Sequence, residues 1–247
     1  MPSKGMAQIG HIAALLMAVF AASSAVAEPR HGSMSVLHRV PLEAKAVALT
    51  VDLGVSARPG ALEGIFASLE KRDVRVTWFV TGWFVRNHGD LLDRMAERGD
   101  HFANHTDTHP DCTRVSMARI HRELRTVEEL MAVRGLDITA PKHFRPPFGR
   151  HNRTVVAAAS ELGYRTVHWS ATTDDYTPGR DATSAARAIL RRVEPGGIIL
   201  IHATNVSRWL LPTLLDELDA RGYEVMPLVE LLGMAHREMA ERSAAAD

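Results

Sequence analysis

The sequence predicts an α/β fold of parallel strands joined by helical crossovers. Three observations predict it. Short β-branched or aromatic runs alternate with helical patterns along the chain. Glycines close the helical patterns just before the next strand, at Gly99, Gly135, Gly163 and Gly222, as the left-handed position after a helix prefers. Residues able to do chemistry fall at strand ends: Asp52, His105 and His109, Arg145, Asp174 and Asp175, and His202. In parallel α/β folds the C-terminal end of the strands is the face where ligands bind.

Taken in order, residues 28–43 read as an irregular lead-in. Strands are expected at 46–51, 74–80, 101–104, 143–146, 165–170, 197–201 and 223–227, and helices at 60–71, 90–98, 116–134, 152–162, 182–193 and 211–221. The helix at 116–134 is the best marked. Met117, Ile120, Leu124, Val127 and Met131 form one apolar stripe, and His121, Arg122, Glu123, Arg125 and Glu128 lie mainly off it. The run at 197–201 is an unbroken apolar strand that delivers His202 to the mouth of the core. Serial strand–helix units require a parallel sheet, either open and doubly wound or closed as a barrel. Asp52-Leu53-Gly54 follows the first strand where a dinucleotide fold would carry a Gly-rich phosphate loop. The tail from about Ala235 is charged and Ala-rich, and is expected to fray or form a short terminal helix, so the main domain is set at 44–235 and the tail at 236–247.

Composition narrows the class further. Lys plus Arg and Asp plus Glu each number 29, interspersed without long runs, which gives no support to a nucleic-acid or acidic-membrane partner. Residues 1–27 carry one charged side chain, Lys4, then an apolar stretch from Ile12 to Phe20 and small residues up to Ala25-Val26-Ala27. That is the layout of a cleaved signal peptide, and the apolar run is short for a membrane span. The expectation is export to the periplasm or beyond, with no stable membrane anchor after cleavage. Cys112 is the only cysteine, so no internal disulfide can form, and a packed, inert thiol is expected.

Two imidazoles four residues apart, His105 and His109, can reach one metal from a turn, or can be two surface histidines. Asn104, Thr106 and Pro110 around them describe a loop after a strand. His202 alone reads as a structural histidine; opposite a carboxylate at Asp52 it becomes a general acid, since imidazole titrates near neutrality.

Five segments in order resemble the motifs of the NodB-type polysaccharide deacetylases, carbohydrate esterase family four. They are Val47-Ala48-Leu49-Thr50-Val51-Asp52; His105-Thr106-Asp107-Thr108-His109-Pro110, similar to H-[ST]-x-x-H-P; Phe144-Arg145-Pro146-Pro147-Phe148-Gly149, similar to R-P-P-[YF]-G; Trp169 to Tyr176, similar to W-S-x-D-x-x-D-W; and Ile199-Leu200-Ile201-His202, similar to L-x-x-H. The resemblance implies a distorted (β/α) barrel with about seven parallel strands, the NodB homology domain. It implies removal of N-acetyl groups from an amino-sugar polymer, be it peptidoglycan, chitin-like or an exopolysaccharide. Asp52 would be the base, His105 and His109 the ligands of zinc or a similar divalent metal, and Arg145 the partner of Asp52. The Phe148 N–H would stabilise the oxyanion, Asp175 would tune His202, and His202 would protonate the leaving amine. Trp169, Tyr176, Trp83 and Trp209 would line a sugar groove. The departures from the pattern include three that bear on the metal and its surroundings. Leu53 stands where the family has a second aspartate, the third metal ligand; Thr172 replaces another aspartate; Ala203 replaces the residue usual after the last histidine. The alternative is a catalytically impaired member that serves as a glycan-binding domain.

Overall fold

The computed structural model describes residues 35–246 apart from Pro178. The expected signal peptide and the start of the lead-in lie outside the described residues. The elements in chain order are β1 (Ala46–Leu53), α1 (Pro59–Glu70), β2 (Thr77–Val80), α2 (Gly82–Asn87), α3 (Gly89–Glu97), β3 (His101–Asn104), α4 (Met117–Val133), β4 (His143–Phe144), α5 (Arg153–Glu161), β5 (Arg165–Thr166), β6 (Ala171–Thr172), α6 (Ala182–Leu190), β7 (Gly197–His202), α7 (Asn205–Ala220), β8 (Glu224–Met226) and α8 (Leu228–Ala246).

The strands form one parallel sheet in the order β5-β4-β3-β2-β1-β7-β6, with β8 also on β1. β7 runs along one edge of β1 from Val47 to Asp52, while β8 and β2 share the other edge, at Ala46–Ala48 and Thr50–Leu53. The expected single strand at 165–170 is divided, and the reason is visible in its hydrogen bonds. Val167 N–H donates to the Phe144 carbonyl at 2.8 Å, His168 N–H to Leu37 at 2.7 Å, and Ser170 N–H to Ile198 at 3.0 Å. The chain crosses from one margin of the sheet to the other within these residues, and so closes a distorted barrel without a regular strand pair. The lead-in takes part as well: Leu37 bridges Val167, Arg39 bridges Gly197, and Leu37, Val40 and Leu42 are buried.

Side chains alternate across the sheet with the period of two that a strand imposes. Val47, Leu49, Val51 and Leu53 face the layer shared with the helices, together with Trp78, Val80, Ile199 and Ile201. Ala46 and Ala48 point to the barrel interior with Phe79, Ala103 and Ile198. Small residues there leave room for the larger polar groups of Thr50 and Asp52, the next two positions on the same face.

Three helices differ from expectation. α2 was not anticipated, because six residues are too few to show a helical period; Thr81 caps it by accepting from Phe84 N–H at 3.2 Å. α7 begins at Asn205, not near 211, capped by Thr204 and running through Pro212. The tail takes the helical one of its two expected forms, but as the end of a longer helix, α8, which starts at Leu228 and buries Leu228, Leu231, Leu232 and Ala235 in the interior cluster. Cys112 is buried, and burial pushes its thiol up to about 12, which keeps it protonated and unreactive.

Candidate active site

Asp52 ends the interior face of β1 and is 6% exposed. Arg145, 0% exposed, fills the barrel beside it and lies over the Phe79 ring at 3.9 Å. One guanidinium nitrogen donates to Asp52 Oδ1 at 2.6 Å, and another donates to Thr50 Oγ1 and the His168 carbonyl, both at 3.0 Å. Burial alone raises the Asp52 carboxyl, but Arg145, His105 and His202 together outweigh it and hold the group below the usual carboxylate range. Asp52 is therefore ionised at neutral pH, with Oδ2 left toward the cleft.

His105 Nδ1 lies 2.8 Å from the Arg145 carbonyl oxygen, which can only accept, so Nδ1 carries the proton and Nε2 presents a lone pair. That Nε2 is 3.5 Å from Asp52 Oδ2. His109 stands edge-on to His105 with ring centroids 4.9 Å apart, and edge-on to Phe148 at 4.7 Å. Burial lowers both imidazoles, His109 to about 4, so both are neutral at pH 7, the form that can bind a cation.

The loop that carries the two histidines is held in an uncommon shape. Thr106 and His109 have φ of 69° and 58°. Asn104 Oδ1 accepts from Thr106 N–H at 2.9 Å, and Thr106 Oγ1 accepts from His109 N–H at 3.1 Å. Glu123 of α4, buried, accepts from both the backbone N–H and the hydroxyl of Thr108, at 2.7 and 2.8 Å. Glu123 is a support of the candidate site that the sequence did not reveal; it sits beside the apolar stripe of α4, where a carboxylate reads as solvated.

Opposite Asp52, His202 ends β7. Its Nδ1 lies 2.8 Å from Asp175 Oδ1, and its own backbone N–H donates to Asp175 Oδ2 at 2.7 Å. Ser207 also donates to Asp175 at 2.5 Å. His202 Nε2 then faces Asp52 Oδ2 at 3.9 Å. Phe148 has φ 60°, and its N–H has no acceptor among the described residues.

Asp52, His105, His109, Phe148, Trp169, Tyr176 and His202 all line one cleft of about 620 Å³, with Arg145 and Asp175 buried behind it. Two of the residues expected in a sugar groove are elsewhere. Trp83, on α2, packs on the core and against His88 at 5.5 Å. Trp209 sits on the outward side of α7 under the Arg208 guanidinium, 64% exposed. Leu53 does not line the cleft either; it is fully buried in the sheet–helix layer. Among the described residues no three His, Cys, Asp or Glu side chains are arranged to hold one ion.

A family model for polysaccharide deacetylases matches residues 39–167. A chitooligosaccharide deacetylase of Bradyrhizobium sp. (strain ANU 289) is 33% identical over 204 residues, covering 76% of this chain and 90% of that protein. A peptidoglycan-N-acetylglucosamine deacetylase of Listeria monocytogenes is 30% identical over 192 residues, covering 76% of this chain and 39% of that protein. Among solved structures, a Bacillus anthracis pseudoenzyme of carbohydrate esterase family four superposes with a TM-score of 0.76 at 25% identity, over 82% of this chain and 70% of that one. A mutant of it with restored enzymatic activity gives 0.75 at 27% identity, over 82% and 73%. Matched through its motifs, its barrel and its relatives, the chain belongs to the NodB-type polysaccharide deacetylase family.

Proposed function

We propose that the protein hydrolyses N-acetyl groups on an amino-sugar polymer. The observation that carries this reading is the opposed pair: Asp52 and His202 face each other at 3.9 Å, each backed by its own buried partner. Asp52 takes a proton from water as its oxygen bonds to the acetyl carbon. His202, oriented by Asp175, delivers a proton to the nitrogen as the C–N bond breaks, giving acetate and a free amine. Arg145 keeps Asp52 ionised and turned toward the water. The free Phe148 N–H is a donor for the carbonyl oxygen as it becomes charged.

The family implies a divalent metal, and the donor set fits one in part. Two neutral imidazoles beside a carboxylate suit zinc or a similar ion, and the orientation of His105 leaves Nε2 for it. The third protein ligand is missing because Leu53 is apolar and faces away. When bound, the ion would polarise the acetyl carbonyl as a Lewis acid. With two imidazoles, its affinity falls below that of a three-ligand catalytic site.

A second reading is a glycan-binding member without turnover. Leu53 favours it directly, and so does the likeness to a pseudoenzyme structure. Acetate release separates the two. The protein is offered chitooligosaccharides, peptidoglycan and an acetylated exopolysaccharide, with and without added zinc or cobalt. Release that is lost in Asp52→Asn supports hydrolysis. Binding without release by the wild type supports the second reading. We also propose export, with cleavage after Ala27. N-terminal sequencing of the mature protein should begin at Glu28, and a start at Met1 would overturn this.

A further inference from the structure

Tyr176 stands where the family pattern carries tryptophan, and the exchange puts a hydroxyl at the wall of the cleft. Its ring lies against His202, with centroids 4.0 Å apart and planes at 39°. It directly follows Asp175, whose carboxylate is locked by His202 and Ser207. That lock fixes the backbone from which Tyr176 springs. The phenol has no hydrogen-bond partner among the described residues. Partial burial and the charges of Asp52 and Asp175, opposed by Arg145, push its ionisation far above neutral pH, so it stays an O–H donor.

Two departures from the family pattern thus bear on one site, Tyr176 in the wall of the cleft and Leu53 turned away from it. The site loses a carboxylate at Leu53 that would hold a cation, and gains an unused O–H beside the proton-transfer pair. Stabilisation of the developing oxyanion is the task that the first loss weakens and the second gain can take up. We infer that Tyr176 is a catalytic residue whose O–H donates a hydrogen bond to the acetyl oxygen as the tetrahedral intermediate forms. No proton leaves the phenol: water's proton goes to Asp52, the amine's comes from His202, and Tyr176 only stabilises the negative oxygen between those two transfers. The inference rests on the deacetylase reading and gives its oxyanion site a second donor besides the Phe148 N–H.

The test compares wild type, Tyr176→Phe and Tyr176→Trp on one acetylated oligosaccharide that the wild type hydrolyses, reading kcat and KM separately. Phenylalanine keeps the ring on His202 and removes only the hydroxyl. Loss of one oxyanion donor typically lowers kcat ~10²–10³-fold. The expected result is a fall of that order in kcat for Tyr176→Phe with KM changed less than about threefold, the same fall for Tyr176→Trp, and unchanged circular dichroism. A Tyr176→Phe protein with kcat within threefold of wild type overturns the inference and leaves the deacetylase reading standing. A rise in KM alone also overturns it, since the hydroxyl would then only bind substrate. Absence of acetate release by the wild type on every glycan removes both readings together.

Discussion

At the residue scale, the adjacent pair Asp52 and Leu53 sets the terms of the chemistry. One residue faces the barrel interior and the other the helices, as strand alternation dictates. Asp52→Asn should therefore leave the fold intact while removing the base. General-base catalysis contributes ~10²–10⁴-fold, and acetate release should fall within that range. A folded variant with wild-type rates would exclude Asp52 from the mechanism. The positions of the expected residues were legible because chemistry-bearing side chains recur at strand ends: Asp52, His105, His109, Phe148 and His202 line the cleft, with Arg145 and Asp175 buried behind it. Trp83 and Trp209 were expected in the groove and lie elsewhere, since aromatic residues serve core, surface and groove alike, and only the helix face they occupy decides. Glu123 was hidden for the converse reason: a carboxylate beside an apolar stripe normally meets solvent, and here it meets a loop.

At the element scale, that loop is the part of the site most dependent on its surroundings. Two non-glycine residues in left-handed conformations are held by Asn104, Thr106 and Glu123. Glu123→Ala would remove the acceptor of the Thr108 N–H and hydroxyl, half-buried bonds worth about 0.5–1.5 kcal/mol each. If the loop's histidines hold a cation as proposed, supports of this kind are typically worth 10–100-fold in activity. We expect acetate release to fall by about that factor, with a lower Tm. Arg119→Ala, which removes a partner of Glu123 and a longer bond to the Thr108 hydroxyl but leaves both Thr108–Glu123 bonds, should have the smaller effect. Equal rates for Glu123→Ala and wild type would show that the loop holds itself. Long periodic elements such as α4 and the apolar β7 were readable from sequence. α2 and the division of β5 from β6 were not, because they follow from where the chain must cross the barrel, which local pattern does not encode.

At the scale of the whole molecule, stability carries a pH signature from inside the sheet. His143 of β4 is buried, and its Nε2 has no hydrogen-bond partner among the described residues. Burial and the charge of Arg165 lower it to about 3. The unfolded chain takes up this proton near 6.5, so between about pH 6.5 and 3 the unfolded state binds a proton that the folded state refuses. Stability is therefore retained above 6.5 and falls on acidification, by about 1.4 kcal/mol per pH unit from this group. Unfolding at pH 7 and pH 5 should show His143→Leu gaining about 2 kcal/mol on wild type between the two conditions. A constant difference would mean that the imidazole is protonated in place. The closure of the barrel gives β1 a further burden. A shift of its pairing by a single residue would turn Leu53 toward the cleft and bury the Asp52 carboxylate among valines. Such slippage is opposed along both edges, by β7 on one and by β8 and β2 on the other. The hydrogen bonds that hold the molecule together are thus also what proofreads its active site: a misaligned fold would be an inert one.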